Sequence, residues 1–193
     1  LKFVDIIGNR DPQFMAIDIN GNIWSVGRKS SKYVEDISTL TQFTSGTVYK
    51  KIHVLENAGG MAIDEDGYLW TWGSNDYGQL GDGTKNASYV PKQIKTDTKF
   101  KDISGAFDSA AAIDEDGNLW TWGLNEYGQL GNGSTTASLV PIKIMEGTKF
   151  KSVSKGEESC AAIDEDGNLW TWGRNSSGQL GNGTTSSAHE PIH

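Results

Sequence analysis

The sequence predicts an all-β chain built from β-propeller blades. Three observations carry that reading: a unit that recurs four times, a hairpin pattern inside the unit, and bulky side chains on both faces of its strands. The stretch at residues 111–123, AAIDEDGNLWTWG, returns unchanged at 161–173. It returns lightly edited at 61–73 as MAIDEDGYLWTWG and at 15–27 as MAIDINGNIWSVG. The hairpin glycines Gly21, Gly67, Gly117 and Gly167 follow one another at intervals of 46, 50 and 50 residues, a period typical of solenoids and propellers.

Within the third copy, Ala110, Ala111, Ala112 and Ile113 form an apolar run that reads as a strand. An Asp-Glu-Asp-Gly turn follows, in which Gly117 is free to take positive φ and Asp114 can accept hydrogen bonds from turn amides. Leu119, Trp120, Thr121 and Trp122 supply the β-branched and aromatic return strand. Alternation puts Leu119 and Thr121 on one face and Trp120 and Trp122 on the other, so both faces carry bulk that must be buried. A sheet that is apolar on both sides needs a neighbour on both sides, which is the condition of a blade packed between two others.

Extending the comparison outward gives four strands per repeat, lettered a to d. In the third repeat these are residues 100–104, 110–113, 119–122 and 141–144. Strand a has matches at 3–7, 49–54 and 150–154, and strand d near 91–95 and 191–192. Pro91, Pro141 and Pro191 are each expected to open the outermost strand, where one edge is unpaired and a missing amide donor is tolerated. The chain is therefore expected to form a single array with blades at about 1–46, 47–97, 98–147 and 148–193.

The loop between strands c and d is the second recurrent signal: NDYGQLGDGT from Asn75, NEYGQLGNGS from Asn125 and NSSGQLGNGT from Asn175. Gly78, Gly81, Gly83 and their equivalents let the chain turn sharply, while Leu80, Leu130 and Leu180 can tuck back as anchors. A glycine loop without a lysine or a following helix is not a phosphate cradle, so these positions read as structural. Residues 28–46, RKSSKYVEDISTLTQFTSG, lack both this motif and the proline. Such a departure fits either a terminal blade adapted to a different neighbour or simple drift between copies.

Composition narrows the function classes. Seventeen Lys and Arg against 25 Asp and Glu give a net charge of −8, which disfavours nucleic acid as a direct partner. Cys160 is the only cysteine and replaces Ala110 of the neighbouring copy, so it reads as a small buried residue, with no disulfide and no Cys-based metal site. No apolar run reaches the length of a membrane span, and LKFVDIIGNR has no signal-peptide pattern, so no membrane insertion is expected. His53, His189 and His193 do not recur and none sits beside a candidate nucleophile, which leaves catalysis without support. Asn-x-Ser/Thr sequences occur at Asn86, Asn132, Asn175 and Asn182, mostly as by-products of the turn motif.

The string D-G-x-L-W-T-W-G-x-N-x-x-G-Q-L-G, followed some way on by Val-Pro, resembles the regulator of chromosome condensation repeat family. Three of the four copies carry it in full and the first carries half. The resemblance implies a propeller, typically seven-bladed, whose members bind other proteins. Family repeats often carry a His-x-x-Ala-Leu pattern near the start of strand b, whereas this chain has DSAAAI, EESCAAI and AGGMAI there. Four repeats fall short of a seven-blade ring. The open blade faces are then expected to be covered by further repeats or another chain, a homo-oligomer completing the ring included, with tight four-blade closure as the other option.

Alternating strand direction places the a–b turns and c–d loops on one face. Because binding residues ride on loops held by a rigid scaffold, the positions that vary between near-identical copies are the candidates for partner binding. On the a–b side these are Asn57, Phe107, Asp108, Glu157 and Glu158; on the c–d side they are Asp76, Tyr77, Leu124, Glu126, Tyr127 and Arg174. The expected function is a non-enzymatic scaffold binding another protein, without a cofactor. Alternatives are a carbohydrate-binding or surface-display module, a nucleotide-exchange factor for a small GTPase, and a self-assembling array. Repeats this close to identity suggest recent duplication, which favours a bacterial cell-surface or extracellular protein over a cytoplasmic one.

Asp114, Asp116 and Asn118 alternate as oxygen ligands for calcium would, but glycine falls at the wrong position for an EF-hand and no distal Glu follows. Turn chemistry alone accounts for them. Calorimetric titration with Ca²⁺ up to millimolar ion is accordingly expected to show no heat of binding.

Overall fold

In the turn that the repeats share, the carboxylate of Asp114 collects more donors than turn chemistry requires. A computed structural model describes residues 1–8, 13–27, 37–44, 46–55 and 59–193. In it, Gly117 takes φ 84° and its amide donates to Asp114 O at 3.0 Å. The Asp114 carboxylate accepts from Asn118 N at 2.7 Å, Asn118 Nδ2 at 2.8 Å and Trp120 Nε1 at 2.8 Å. The indole bond pins the first tryptophan of strand c onto its own hairpin. It recurs from Trp24 to Asp18, Trp70 to Asp64 and Trp170 to Asp164. The Trp170 indole and the Asn168 donors hold the Asp164 carboxyl down to about 2.

The described strands form four antiparallel four-stranded sheets, each taking consecutive strands in consecutive order. The first holds β1 (Phe3–Gly8), β2 (Gln13–Asp18), β3 (Ile23–Gly27) and β4 (Ile37–Gln42). The second holds β5 (Tyr49–Leu55), β6 (Gly59–Asp64), β7 (Leu69–Gly73) and β8 (Ser88–Ile94). The third holds β9 (Phe100–Ala106), β10 (Ser109–Asp114), β11 (Leu119–Gly123) and β12 (Ser138–Ile144). The fourth holds β13 (Phe150–Lys155), β14 (Ser159–Asp164), β15 (Leu169–Gly173) and β16 (Ala188–Ile192). The outermost strand starts earlier than its proline suggests. Pro91, Pro141 and Pro191 lie inside β8, β12 and β16, and Pro141 falls in the irregular stretch of β12 between the residues that pair with Thr121 and Gly123. A proline is accepted there because the ladder is already interrupted.

Blades join by laying the forward face of one sheet on the back face of the next. Met61, Ile63 and Leu69 of the second sheet pack with Phe100, Ile103, Ala112 and Trp122 of the third, and Ile113 and Leu119 of the third with Phe150, Ala162 and Trp172 of the fourth. Trp122 and Trp172 are fully buried. Each also crosses the joint with a hydrogen bond: Trp122 Nε1 donates to Gln79 O at 2.9 Å and Trp172 Nε1 to Gln129 O at 3.1 Å. Trp72 of the second sheet is equally buried, yet its Nε1 has no partner among the described residues.

The two terminal faces are open. Leu169 on the forward face of the fourth sheet is 58% exposed, whereas its counterparts Leu69 and Leu119 are 0% exposed. On the back face of the first sheet Phe3, Val4, Ile6 and Phe14 are exposed and line a cleft with Val26 and Leu40. The chain is thus an open arc, and the four-blade closure considered from sequence does not occur. The first back face is also built differently. Elsewhere a small residue pairs with tryptophan across strands b and c: Gly60 with Trp72, Ala110 with Trp122, Cys160 with Trp172. In the first sheet Phe14 pairs with Val26, so the bulk has changed strands and the indole N–H is lost.

Replacing Trp122 by Phe removes a buried hydrogen bond and orphans the Gln79 carbonyl, a loss of about 1 to 3 kcal/mol. In Trp72→Phe no such bond to a described residue is lost, so denaturant titration of the two variants should show Trp122→Phe as the more destabilising, with Trp172→Phe close to it.

Candidate functional face

The c–d loops are rigid because an asparagine side chain closes each one. Asn125 Oδ1 accepts from Leu130 N at 2.9 Å, while its Nδ2 donates to Ser134 O at 3.0 Å and Thr136 O at 2.9 Å. Leu130 is buried, and its carbonyl accepts from Thr121 Oγ1 at 2.8 Å. Asn75 and Asn175 repeat the arrangement beneath Leu80 and Leu180. The loops of the second and third blades then reach the next blade: Gly83 N donates to Leu139 O and Gly133 N to His189 O, both at 2.9 Å. Gly78 and Gly128 have no room for a Cβ, which would lie 2.5 Å from Leu139 and His189 respectively.

On this frame the a–b turns and c–d loops share one face. At the joint of the second and third blades, Gln79 Nε2 donates to Asp108 Oδ1 at 3.0 Å, and its Oε1 accepts from Tyr77 N at 3.0 Å. Burial, with Asp76 nearby, raises the Asp108 carboxyl above the usual carboxylate range. Phe107, the other residue of that turn, is half-buried and held at φ 47°, a left-handed conformation that a phenylalanine rarely adopts. Leu124 is half-buried and fixed through its amide, which donates to Asp108 O at 2.8 Å. Tyr77 is 40% exposed and Asp76 stands out into solvent.

The next joint is wired differently. Arg174 pairs with Glu158 and lies over the Tyr127 ring, its Cζ 5.0 Å from the centroid. Glu158 raises the Arg174 guanidinium further above its already high value. Because Glu158 turns to Arg174, the buried Nε2 of Gln129 is left without a partner where Gln79 has one. Glu126 and Glu157 are exposed. The candidates therefore fall into two clusters, Asp76, Tyr77, Phe107 and Asp108 at one joint and Glu126, Tyr127, Glu158 and Arg174 at the other; Asn57 lies outside the described residues.

The profile of the Regulator of chromosome condensation (RCC1) repeat matches residues 66–113, 116–163 and 166–193, and a second RCC1 repeat profile matches 100–129 and 150–179. The chain belongs to the RCC1 repeat family. Each long match starts in a b–c turn and ends in strand b of the following blade, so the family's repeat straddles the joint. Human E3 ubiquitin-protein ligase HERC2 is 53% identical over 34 residues, which cover 18% of this chain and 1% of that protein. Among solved structures, Prp20p from Saccharomyces cerevisiae superposes with a TM-score of 0.87 at 20% identity, over 98% of this chain and 50% of that one. Human WBSCR16 gives 0.84 at 22% identity, over 98% and 52%. The chain thus spans about half the length of these structures and a hundredth of HERC2. At this identity the likeness shows the RCC1 propeller fold.

The polar links along the innermost strands of the RCC1 blades are absent from the sequence motif. Lys51 pairs with Asp102, whose other oxygen accepts from Val153 N at 3.3 Å, and Lys155 N donates to Ser104 Oγ at 2.9 Å. Burial pushes the Lys155 ammonium down to about 8 and the neighbouring Cys160 thiol up to about 12. His53 Nε2 lies 2.8 Å from Gly105 O and, facing a carbonyl, must carry the proton. Lys51, His53 and Lys155 have no like residue at the same register of the other copies, so periodicity gave no signal for them, whereas Asp102 and Ser104 are matched by Asp5 and Ser154. Among the described residues no three His, Cys, Asp or Glu side chains gather as a metal ion would need. Among the described residues no helix is long and apolar enough to cross a membrane.

Burial lowers the His53 pKa below 6.5, so the folded chain disfavours its charged form. Stability from this group is complete above 6.5 and is lost as pH falls below that value, because the unfolded chain takes up the proton first. Thermal unfolding between pH 7 and 5 should show this slope, and His53→Gln should flatten it.

Proposed function

We propose that the chain is a non-enzymatic propeller scaffold that binds another protein through the face formed by its a–b turns and c–d loops. One observation carries this reading. The blades are nearly identical in their strands, hairpins and loop anchors, yet side chains presented on this face differ from blade to blade: Phe107 and Leu124 at one joint, Glu157 and Arg174 at the next. A rigid frame with a variable rim of aromatic and charged groups suits protein recognition, where preorganised Tyr and Arg anchors contribute most. Prp20p, which shares the fold, has been studied for its binding to Gsp1p and histones, and yeast RCC1 (Prp20) has been solved with Kap60 bound. These are binding relationships of that protein and support protein recognition as the general role for this one.

The open faces supply a second, compatible reading. Leu169 on one end and Phe14 on the other are too exposed for a resting blade face, and further blades, on this polypeptide or another, would cover them. Light scattering should then report association of the isolated chain.

For the recognition face, Tyr77→Ala combined with Glu126→Ala removes two side chains that anchor no loop. We expect unchanged thermal unfolding and at least about tenfold weaker capture of a partner, the loss of about 1.4 kcal/mol that one modest anchor contributes. Unchanged affinity with an intact fold would place binding elsewhere.

A further inference from the structure

The third glycine of each c–d loop is preceded by Asp82 in the second blade, Asn132 in the third and Asn182 in the fourth. An Asn-Gly step can modify itself, because the glycine amide nitrogen can attack the asparagine side-chain carbon. Whether it does so in a folded protein depends on whether that amide is free and whether the attacked carbonyl is polarised.

The two Asn-Gly steps differ on both counts. Gly133 N is tied to His189 O of the next blade at 2.9 Å, as Gly83 N is tied to Leu139 O. Among the described residues the amide of Gly183 makes no hydrogen bond, and nothing stands within 4 Å of where its Cβ would be. Asn182 Oδ1 accepts from Thr184 Oγ1 at 2.9 Å, Thr184 N at 3.1 Å and Asn175 Nδ2 at 3.1 Å. Asn132 Oδ1 accepts only from Ser134 N and Asn125 Nδ2, both at 3.2 Å. Three donors on the amide oxygen withdraw electron density from Cγ and would hold the negative oxygen that forms as a nucleophile adds, as an oxyanion hole does.

We propose that Asn182-Gly183 is a self-modifying site, open while the forward face of the fourth blade is uncovered and shut when a neighbour takes up the Gly183 amide. Gly183 N gives its proton to solvent base and bonds to Asn182 Cγ. The tetrahedral adduct collapses, the Cγ–Nδ2 bond breaks, and Nδ2 leaves with a proton from solvent as ammonia, giving a succinimide. Water adds to either imide carbonyl and opens the ring to aspartate or isoaspartate, so one water is consumed and one ammonia released. The loop has room for the aspartate. Asp82 occupies this position with the same donors from Thr84 and Asn75. Asp82 also has Lys92, whose counterpart beside position 182 is Ile192, so the new carboxylate would add an unpaired negative charge to the rim.

The test is peptide mapping of the whole chain after incubation at mildly alkaline pH, with aspartate and isoaspartate quantified at positions 132 and 182. Folded, Asn182 should convert at least about tenfold faster than Asn132, the ratio that a barrier difference of about 1.4 kcal/mol gives. In denaturant the two rates should converge, since both are Asn-Gly steps. Thr184→Val, which deletes one of the three donors, should slow Asn182 in the folded chain and leave Asn132 unchanged. Equal folded rates at the two positions, or a slower rate at Asn182, would overturn the proposal, as would a Thr184→Val chain that converts at the parent rate.

Discussion

A sheet with apolar side chains on both faces cannot exist alone in water, and everything else in this molecule follows from that. Leu119 and Trp122 project from one short strand to opposite sides, and both are fully buried only because a blade stands on each side. Burying a tryptophan, however, also strands its N–H. The chain meets that demand by sending the indole across the joint to a loop carbonyl, so the contact that dries the ring also fixes the angle and register of the next blade. Packing and orientation are thereby set by one residue. The glycine-rich loop is the other half of that device, since it places the Gln79 or Gln129 carbonyl under the incoming ring.

Rigid repetition of this kind separates two kinds of position. Asn125, Asp114 and Trp122 hold the frame and cannot vary without leaving a buried polar group unmatched, and Leu130 fills the space beneath its loop. Residues at the tips carry no such duty, and there the copies diverge. The clearest divergence is Leu124 against Arg174. Beside Leu124, Asp108 binds Gln79, whereas Arg174 pairs with Glu158, the counterpart of Asp108, and covers Tyr127, so these two exchanges together rewire the joint. Two rims on identical frames thus present different chemistry.

Much of the fold was legible because its causes are periodic. The hairpin turn, the two-sided strand, the loop glycines and the leucine anchors recur, and each recurrence is a repeated physical need. The limits appear where a need is met once. The proline suggested a strand start, but the interrupted ladder around Pro141 let the strand begin earlier. His53, Lys51 and Asp102 link blades through groups from distant parts of the chain, and no local pattern announces them. On the rim, sequence variation identified the face. It could not show that Tyr77 stands exposed while Tyr127 lies under Arg174, because that depends on which cation the neighbouring blade supplies.

The exchange of bulk between Phe14 and Val26 gives the array a polarity that bears on what can seat against each end. A copied blade inserted among the second, third and fourth would meet a partner able to donate to its loop carbonyl. Inserted ahead of the first, it would face a valine with no proton to offer, and its own oxygen would go unsatisfied in a dry seam. Any blade seated on that side must satisfy its loop carbonyl with a donor of another kind.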